Sequence, residues 1–146
     1  MRQSRILFAA MVSASTLTLG APVPAHADLV VNKLTGFTSP SGNVGCMIDV
    51  DYVRCDILQR DWEPPPRPAD CPSFTGYGQG ITLSPGSPAE FVCAGDTALA
   101  GGPALEYGES VSGGPIRCTS SPSGMTCRES VGGHGFSIAR EGYQIY

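Results

Sequence analysis

Apolar residues from Asp28 onward come in short runs, broken again and again by glycine and proline. No stretch sustains the i, i+3, i+4, i+7 spacing that gives a helix an apolar face, whereas alternating and β-branched runs between turn residues are frequent. The runs predict strands over Leu34–Thr38, Val44–Ile48, Val53–Leu58, Gly80–Leu83, Glu90–Ala94, Ala104–Tyr107, Ile116–Thr119, Met125–Arg128, Phe136–Arg140 and Tyr143–Tyr146. In Phe136-Ser137-Ile138, for instance, Phe136 and Ile138 face one side of a sheet and Ser137 the other. Many short strands with Gly/Pro turns read as all-β: a small sandwich or barrel of antiparallel hairpins and meanders.

Cysteine spacing turns that reading into specific pairings. Cys46/Cys55 and Cys118/Cys127 are two C-x8-C units, with Cys71 and Cys93 between them. If Cys118 faces Cys127 across a hairpin, Thr119 faces Thr126, Ser120 faces Met125, and the loop is Ser121-Pro122-Ser123-Gly124, with proline and glycine where a tight turn accepts them. In the first unit Met47 faces Arg54, Ile48 faces Val53, and the loop is Asp49-Val50-Asp51-Tyr52. Directly opposed strand residues are close enough to bridge. Cys71 and Cys93 then pair by elimination, although six cysteines allow about 15 connectivities. Ring closure would contribute about 2.7 kcal/mol for each short ring and about 3.4 kcal/mol for the longer one. Ser-Pro-Ser-Gly occurs twice, at 39–42 and 121–124. Each copy is expected to open a three-stranded meander, one aligning Phe37, Cys46 and Cys55, the other Cys118, Cys127 and Phe136.

The N-terminus carries a different pattern. Arg2 and Arg5 precede an uncharged, mostly apolar run from Ile6 to Leu19, and Ala25-His26-Ala27 supplies small residues before Asp28. Charge, short apolar stretch and small residues form a secretory leader, so 1–27 is expected to be a signal peptide cleaved after Ala27, and 28–146 a single secreted β domain. The apolar run is shorter than the roughly 20 residues that span a bilayer. An even cysteine count suits an oxidising compartment. The mature chain has seven basic and thirteen acidic residues, a formal charge of −6. Its one lysine, Lys33, and scattered arginines argue against a nucleic-acid or anionic-membrane partner.

Candidate chemistry is sparse. His134, in Gly132-Gly133-His134-Gly135, is the only histidine after the leader, and Asp96 in Gly95-Asp96-Thr97 could orient it beside a serine in a small hydrolase. Gly108-Glu109-Ser110-Val111-Ser112 only approaches a nucleophile elbow. Glu90, Asp96, Glu106 and Glu109 could supply paired carboxylates, but their separations cannot be read from sequence. Asp49-Val50-Asp51 begins like a calcium loop without completing one, the cysteines lack zinc-finger spacing, and Gly76-Tyr77-Gly78-Gln79-Gly80 fits no nucleotide loop, so no metal or cofactor is expected and a strained or flexible loop is expected at 76–80. Trp62-Glu63-Pro64-Pro65-Pro66-Arg67-Pro68 should be a stiff polyproline II segment, either presenting Trp62 as a binding anchor or strapping the domain with Trp62 turned inward.

Several motifs resemble one family: Phe37-Thr38-Ser39-Pro40-Ser41-Gly42-Asn43-Val44-Gly45-Cys46, Val53-Arg54-Cys55-Asp56-Ile57, Phe91-Val92-Cys93-Ala94-Gly95-Asp96-Thr97, Gly124-Met125-Thr126-Cys127 and Gly133-His134-Gly135-Phe136. The chain is similar over nearly all its mature length to an uncharacterised family of small exported actinobacterial domains. The resemblance implies an exported, disulfide-linked β domain and carries no activity or catalytic residue with it. The expected role is a non-catalytic extracellular binding or interaction module, acting on an envelope component or another extracellular protein.

Overall fold

The computed structural model describes Gly20, Ala21 and residues 26–146; most of the expected leader, 1–19 and 22–25, lies outside the described residues. Among the described residues there are eleven strands and no helix: β1 Asp28–Val31, β2 Thr35–Thr38, β3 Val44–Ile48, β4 Val53–Ile57, β5 Tyr77–Leu83, β6 Glu90–Cys93, β7 Ser110–Gly113, β8 Ile116–Ser121, β9 Gly124–Glu129, β10 Gly135–Ile138 and β11 Tyr143–Ile145. They form two sheets, ordered β1-β7-β8-β9-β10-β11 and β2-β3-β4-β5-β6. One apolar core draws side chains from both, so the architecture is the expected β-sandwich.

The cysteines mark the middle of that core. Bridges join Cys46 to Cys55, Cys71 to Cys93 and Cys118 to Cys127. The first and third cross adjacent strands with Cα atoms 4.1 Å apart, the closeness of directly opposed residues on antiparallel strands. Phe37, Cys46, Cys55 and Ile81 follow one another across one sheet, and Phe136, Cys127, Cys118 and Val111 do so across the other. Every residue in both rows is buried. The rows meet face to face: Cys55 Sγ lies 3.9 Å from Cys127 Sγ, an ordinary contact between two oxidised sulfurs.

Both Ser-Pro-Ser-Gly copies open three-stranded meanders, β2-β3-β4 and β8-β9-β10. Their turns differ. Thr38 pairs with Gly45 and Ser39 N–H donates to Val44, so the first copy closes a longer loop. In the second, Ser121 pairs directly with Gly124. The strand phase after each motif is therefore shifted by one residue, and the cysteines fall on different strands of the two meanders.

Two expectations are corrected and two strands are added. Ala104–Tyr107 is not a strand: Ala104 makes a single parallel bridge to Thr38, and the chain turns at Tyr107. Residues 76–80 are not a loop, because β5 begins at Tyr77; the irregularity lies within the strand, where Gly78 has φ 77° and the β5–β6 register shifts between Tyr77 and Ile81. A Cβ at Gly80 would stand 2.2 Å from Asp56 Oδ1. Strands β1 and β7 went unrecognised. They pair in parallel, Asp28 with Ser110 through Val31 with Gly113, a contact between distant segments that no local turn announces.

The outer face of the β2–β6 sheet is roofed by the segment after β6. Gly45 and Gly80, on either side of Asp56, clear the space, and a Cβ at Gly45 would reach 2.9 Å from Ala98 O. The roof then joins the β2 edge through Thr38 N–H to Pro103 O and Leu105 N–H to Thr38 O.

Candidate functional site

The proline strap runs along the domain between β4 and β5. Trp62 turns inward: its ring centroid lies 4.8 Å from that of Tyr143 and 6.2 Å from that of Phe91, and its indole N–H donates to Ala139 O at 2.8 Å. Arg60 stacks over the indole at 4.8 Å and donates to Gly78 O. Further along, Arg67 donates to Pro72 O and Thr75 O and lies over Tyr77. The Cys71–Cys93 bridge ties the far end of the strap to β6.

Between strap and sandwich this leaves a groove of about 600 Å³. Pro65, Pro66 and Pro68 form one wall, Tyr77, Phe91 and Tyr143 supply aromatic surface, and exposed Asp70 and Glu90 stand at the rim. Strand β6 runs along it and is the last strand of its sheet, so its outer backbone edge is of the kind that pairs with an added extended chain. The groove's charge follows from where the arginines go. All six described arginines are engaged within the fold: Arg54 with Asp56, Arg60 with Gly78 O, Arg67 with the strap carbonyls, Arg117 with Asp28, Arg128 over Tyr146 and Arg140 with Asp61. Asp70 and Glu90 are thus the acidic groups of the groove, and Arg67, held by carbonyls rather than by a carboxylate, keeps its positive charge on the strap beside Tyr77.

Asp96 lies in the roof, not in this groove. Arg54 and Asp56, two apart on β4, face the same side, and the Arg54 side chain grips Asp56 through Nε and Nη2 at 2.8 and 2.7 Å. Arg54 also donates from Nη1 to Asp96 Oδ1 at 2.7 Å and from Nη2 to Asp96 O at 2.8 Å. Thr97 Oγ1–H and Ala98 N–H donate to Asp56 as well. The hydrogen bond to Asp56 leads the causes that hold Arg54 protonated, against the opposing effect of burial. The Arg54 hydrogen bond, then its charge, lowers the Asp96 pKa. Asp96 is a latch on the roof.

His134 belongs to a separate cluster in the β9–β10 turn. Glu129, 3% exposed, accepts backbone N–H groups from Gly86, Val131, Gly132 and His134. Burial pushes its carboxyl up, but the donors from Gly132, His134, Gly86 and Val131 outweigh that and bring its pKa down to about 2. His134 contributes backbone at both ends of this clasp, since its C=O also accepts Glu129 N–H. Asp96 and His134 share no hydrogen bond, and none of the four described cavities is lined by both. Ser110 lies in β7 and bonds to Thr119.

Trp62, Asp96 and His134 stand out in the sequence as candidates; Arg54, Asp56 and Phe91 appear there only within motifs, and Glu129 and Tyr143 carry no role. Opposite charges two apart in a strand, and a carboxylate preceding a Gly-rich turn, were the available signals for the polar ones. The aromatic partners come together only through tertiary packing.

Residues 15–146 match the model of a family of unknown function, DUF6636, and the chain belongs to that family. No curated protein and no solved structure matches it. The three bridges suit an oxidising compartment, and no helix among the described residues is long and apolar enough to cross a membrane.

Proposed function

We propose that the chain acts outside the cytoplasm as a non-catalytic binding module, and that its strap-walled groove takes an extended, basic segment of another protein. One observation carries this reading: a bridge-held aromatic groove with Asp70 and Glu90 at its rim, beside an edge strand. The aromatic walls suit apolar side chains, the carboxylates suit Lys or Arg, and the β6 backbone suits a strand-like main chain. Because proline and a disulfide hold the groove, little ordering entropy is lost when it is filled.

Selection of a random-peptide display library on the oxidised protein tests this. Enrichment of peptides alternating basic and apolar residues is expected, with affinity falling about tenfold or more on the Asp70→Lys/Glu90→Lys double variant. Both residues are exposed, so the fold should be unaffected. Failure to enrich, or enrichment indifferent to the charge reversal, would remove the groove from the account.

A further inference from the structure

The two Ser-Pro-Ser-Gly turns meet. Although one belongs to each sheet, both line a single cleft of about 390 Å³, together with Asn43, Gln59, Tyr107 and the β10–β11 turn. This cleft is separate from the strap groove, and no residue lines both. From it we infer a second binding site, for a neutral carbohydrate.

The lining has the inventory a sugar needs. A pyranose carries hydroxyls around its rim, each donor and acceptor at once, and C–H groups on its faces. Groups that both donate and accept match the rim, and an exposed aromatic ring matches a face. In the first turn Ser39 and Ser41 hydroxyls pair at 3.2 Å, and in the second Ser121 and Ser123 pair at 2.9 Å. Ser39 and Ser41 from the first turn and Ser121 from the second line the cleft, so each turn sets at least one hydroxyl of its serine pair there. Asn43 clamps the Gln59 backbone from both sides, Nδ2 donating to Gln59 O at 2.9 Å and Oδ1 accepting Gln59 N–H at 2.8 Å. The Gln59 carboxamide itself, exposed, has no partner among the described residues. Tyr107 is 50% exposed and offers both a ring and a hydroxyl.

The charges select against an anion. Arg140 lies at the cleft but is paired with Asp61, and Glu141 adds a further carboxylate. A phosphate or sulfate would meet net negative charge, whereas a neutral polyol is indifferent to it. The volume lies near the lower end of small-ligand pockets and fits one or two sugar rings rather than a long chain.

Amide chemical-shift titration of the oxidised protein with cellohexaose, maltohexaose and chitohexaose, and separately with sodium sulfate, tests the inference. Saturable shifts at Gln59, Tyr107, Ser121 and Glu141 with at least one oligosaccharide are expected, with none from sulfate. Tyr107→Ala should weaken binding about tenfold or more, while Tyr107→Phe, which keeps the ring, should lose less. Gln59→Ala should weaken binding without altering the rest of the spectrum. No saturable shift with any of the three sugars, shifts confined to another surface, sulfate competing for the cleft, or wild-type affinity in Tyr107→Ala would each overturn it. Since the strap groove takes no part, its loss by charge reversal should leave sugar binding intact.

Discussion

The β3–β4 and β8–β9 hairpins share cysteine spacing, inward bridges and Cα separation, yet they live in different environments. Every residue of β4 is buried, whereas β9 alternates between buried and partly or fully exposed positions. Inside, the two bridges touch and are interchangeable in kind. Outside, β4 presents Arg54 and Asp56 to a roof, while β8 and β9 present Arg117, Thr119, Thr126 and Arg128 at or near the surface. Arg117 and Arg128 even stand directly opposite each other, one paired with Asp28 and the other over Tyr146. The same local spacing thus serves both a strand buried on two faces and one buried on a single face; what decides is whether a later segment crosses it.

The largest effect should separate those outer faces. Asp56→Ala leaves the Arg54 guanidinium without its main partner under the roof and should cost about 3–5 kcal/mol, as breaking one half of a buried ion pair does. Thr126→Ala, on the open face, should cost less than about 1 kcal/mol. Urea unfolding of both variants checks this, and equal losses would erase the distinction.

The inner faces should behave alike. The rings close over the same separation of nine residues. Replacing Cys46/Cys55 or Cys118/Cys127 by alanine pairs should therefore cost similar amounts, about 3 kcal/mol each. A markedly larger loss for the first pair would mean that the roof depends on the bridge beneath it.

A smaller, pH-dependent effect comes from Glu129, whose folded pKa of about 2 lies below its ordinary 4.5. A lowered carboxyl stabilises the fold fully above about pH 4.5, and that contribution disappears as pH falls toward 2. Glu129→Gln should lower the melting temperature near neutrality and lose that deficit on acidification. A deficit unchanged across the same range would place the effect elsewhere than in the charge. Asp96, lowered by Arg54, acts in the same direction within the roof.

Much of the hairpin framework could be read directly. The C-x8-C spacing specified which residues oppose one another, and the register of β3–β4 and β8–β9 follows it residue by residue. Local turn chemistry is sufficient there. It says nothing about β1 on β7, or about a roof over Gly45 and Gly80, because those contacts join distant segments. Glycines in 76–80 looked like punctuation and are clearances. Trp62 illustrates the same limit at the candidate site: its strap was legible as stiff, but its inward turn depends on Phe91, Ala139 and Tyr143. The shared Ser-Pro-Ser-Gly was visible as a repeat, while its convergence on one cleft required the packing of two sheets.

The proposed binding face is the strap groove, held ready for a basic, extended partner. Trp62, the only tryptophan, packs behind that groove, and the backbone of β6 forms its edge. The direct test is to add a display-enriched basic peptide to the oxidised protein and map amide shifts together with Trp62 emission. Shifts concentrated at Glu90–Cys93, Tyr143–Ile145 and the strap are expected, accompanied by a change in Trp62 emission. Shifts centred on another surface, with Trp62 emission unaltered, would contradict it.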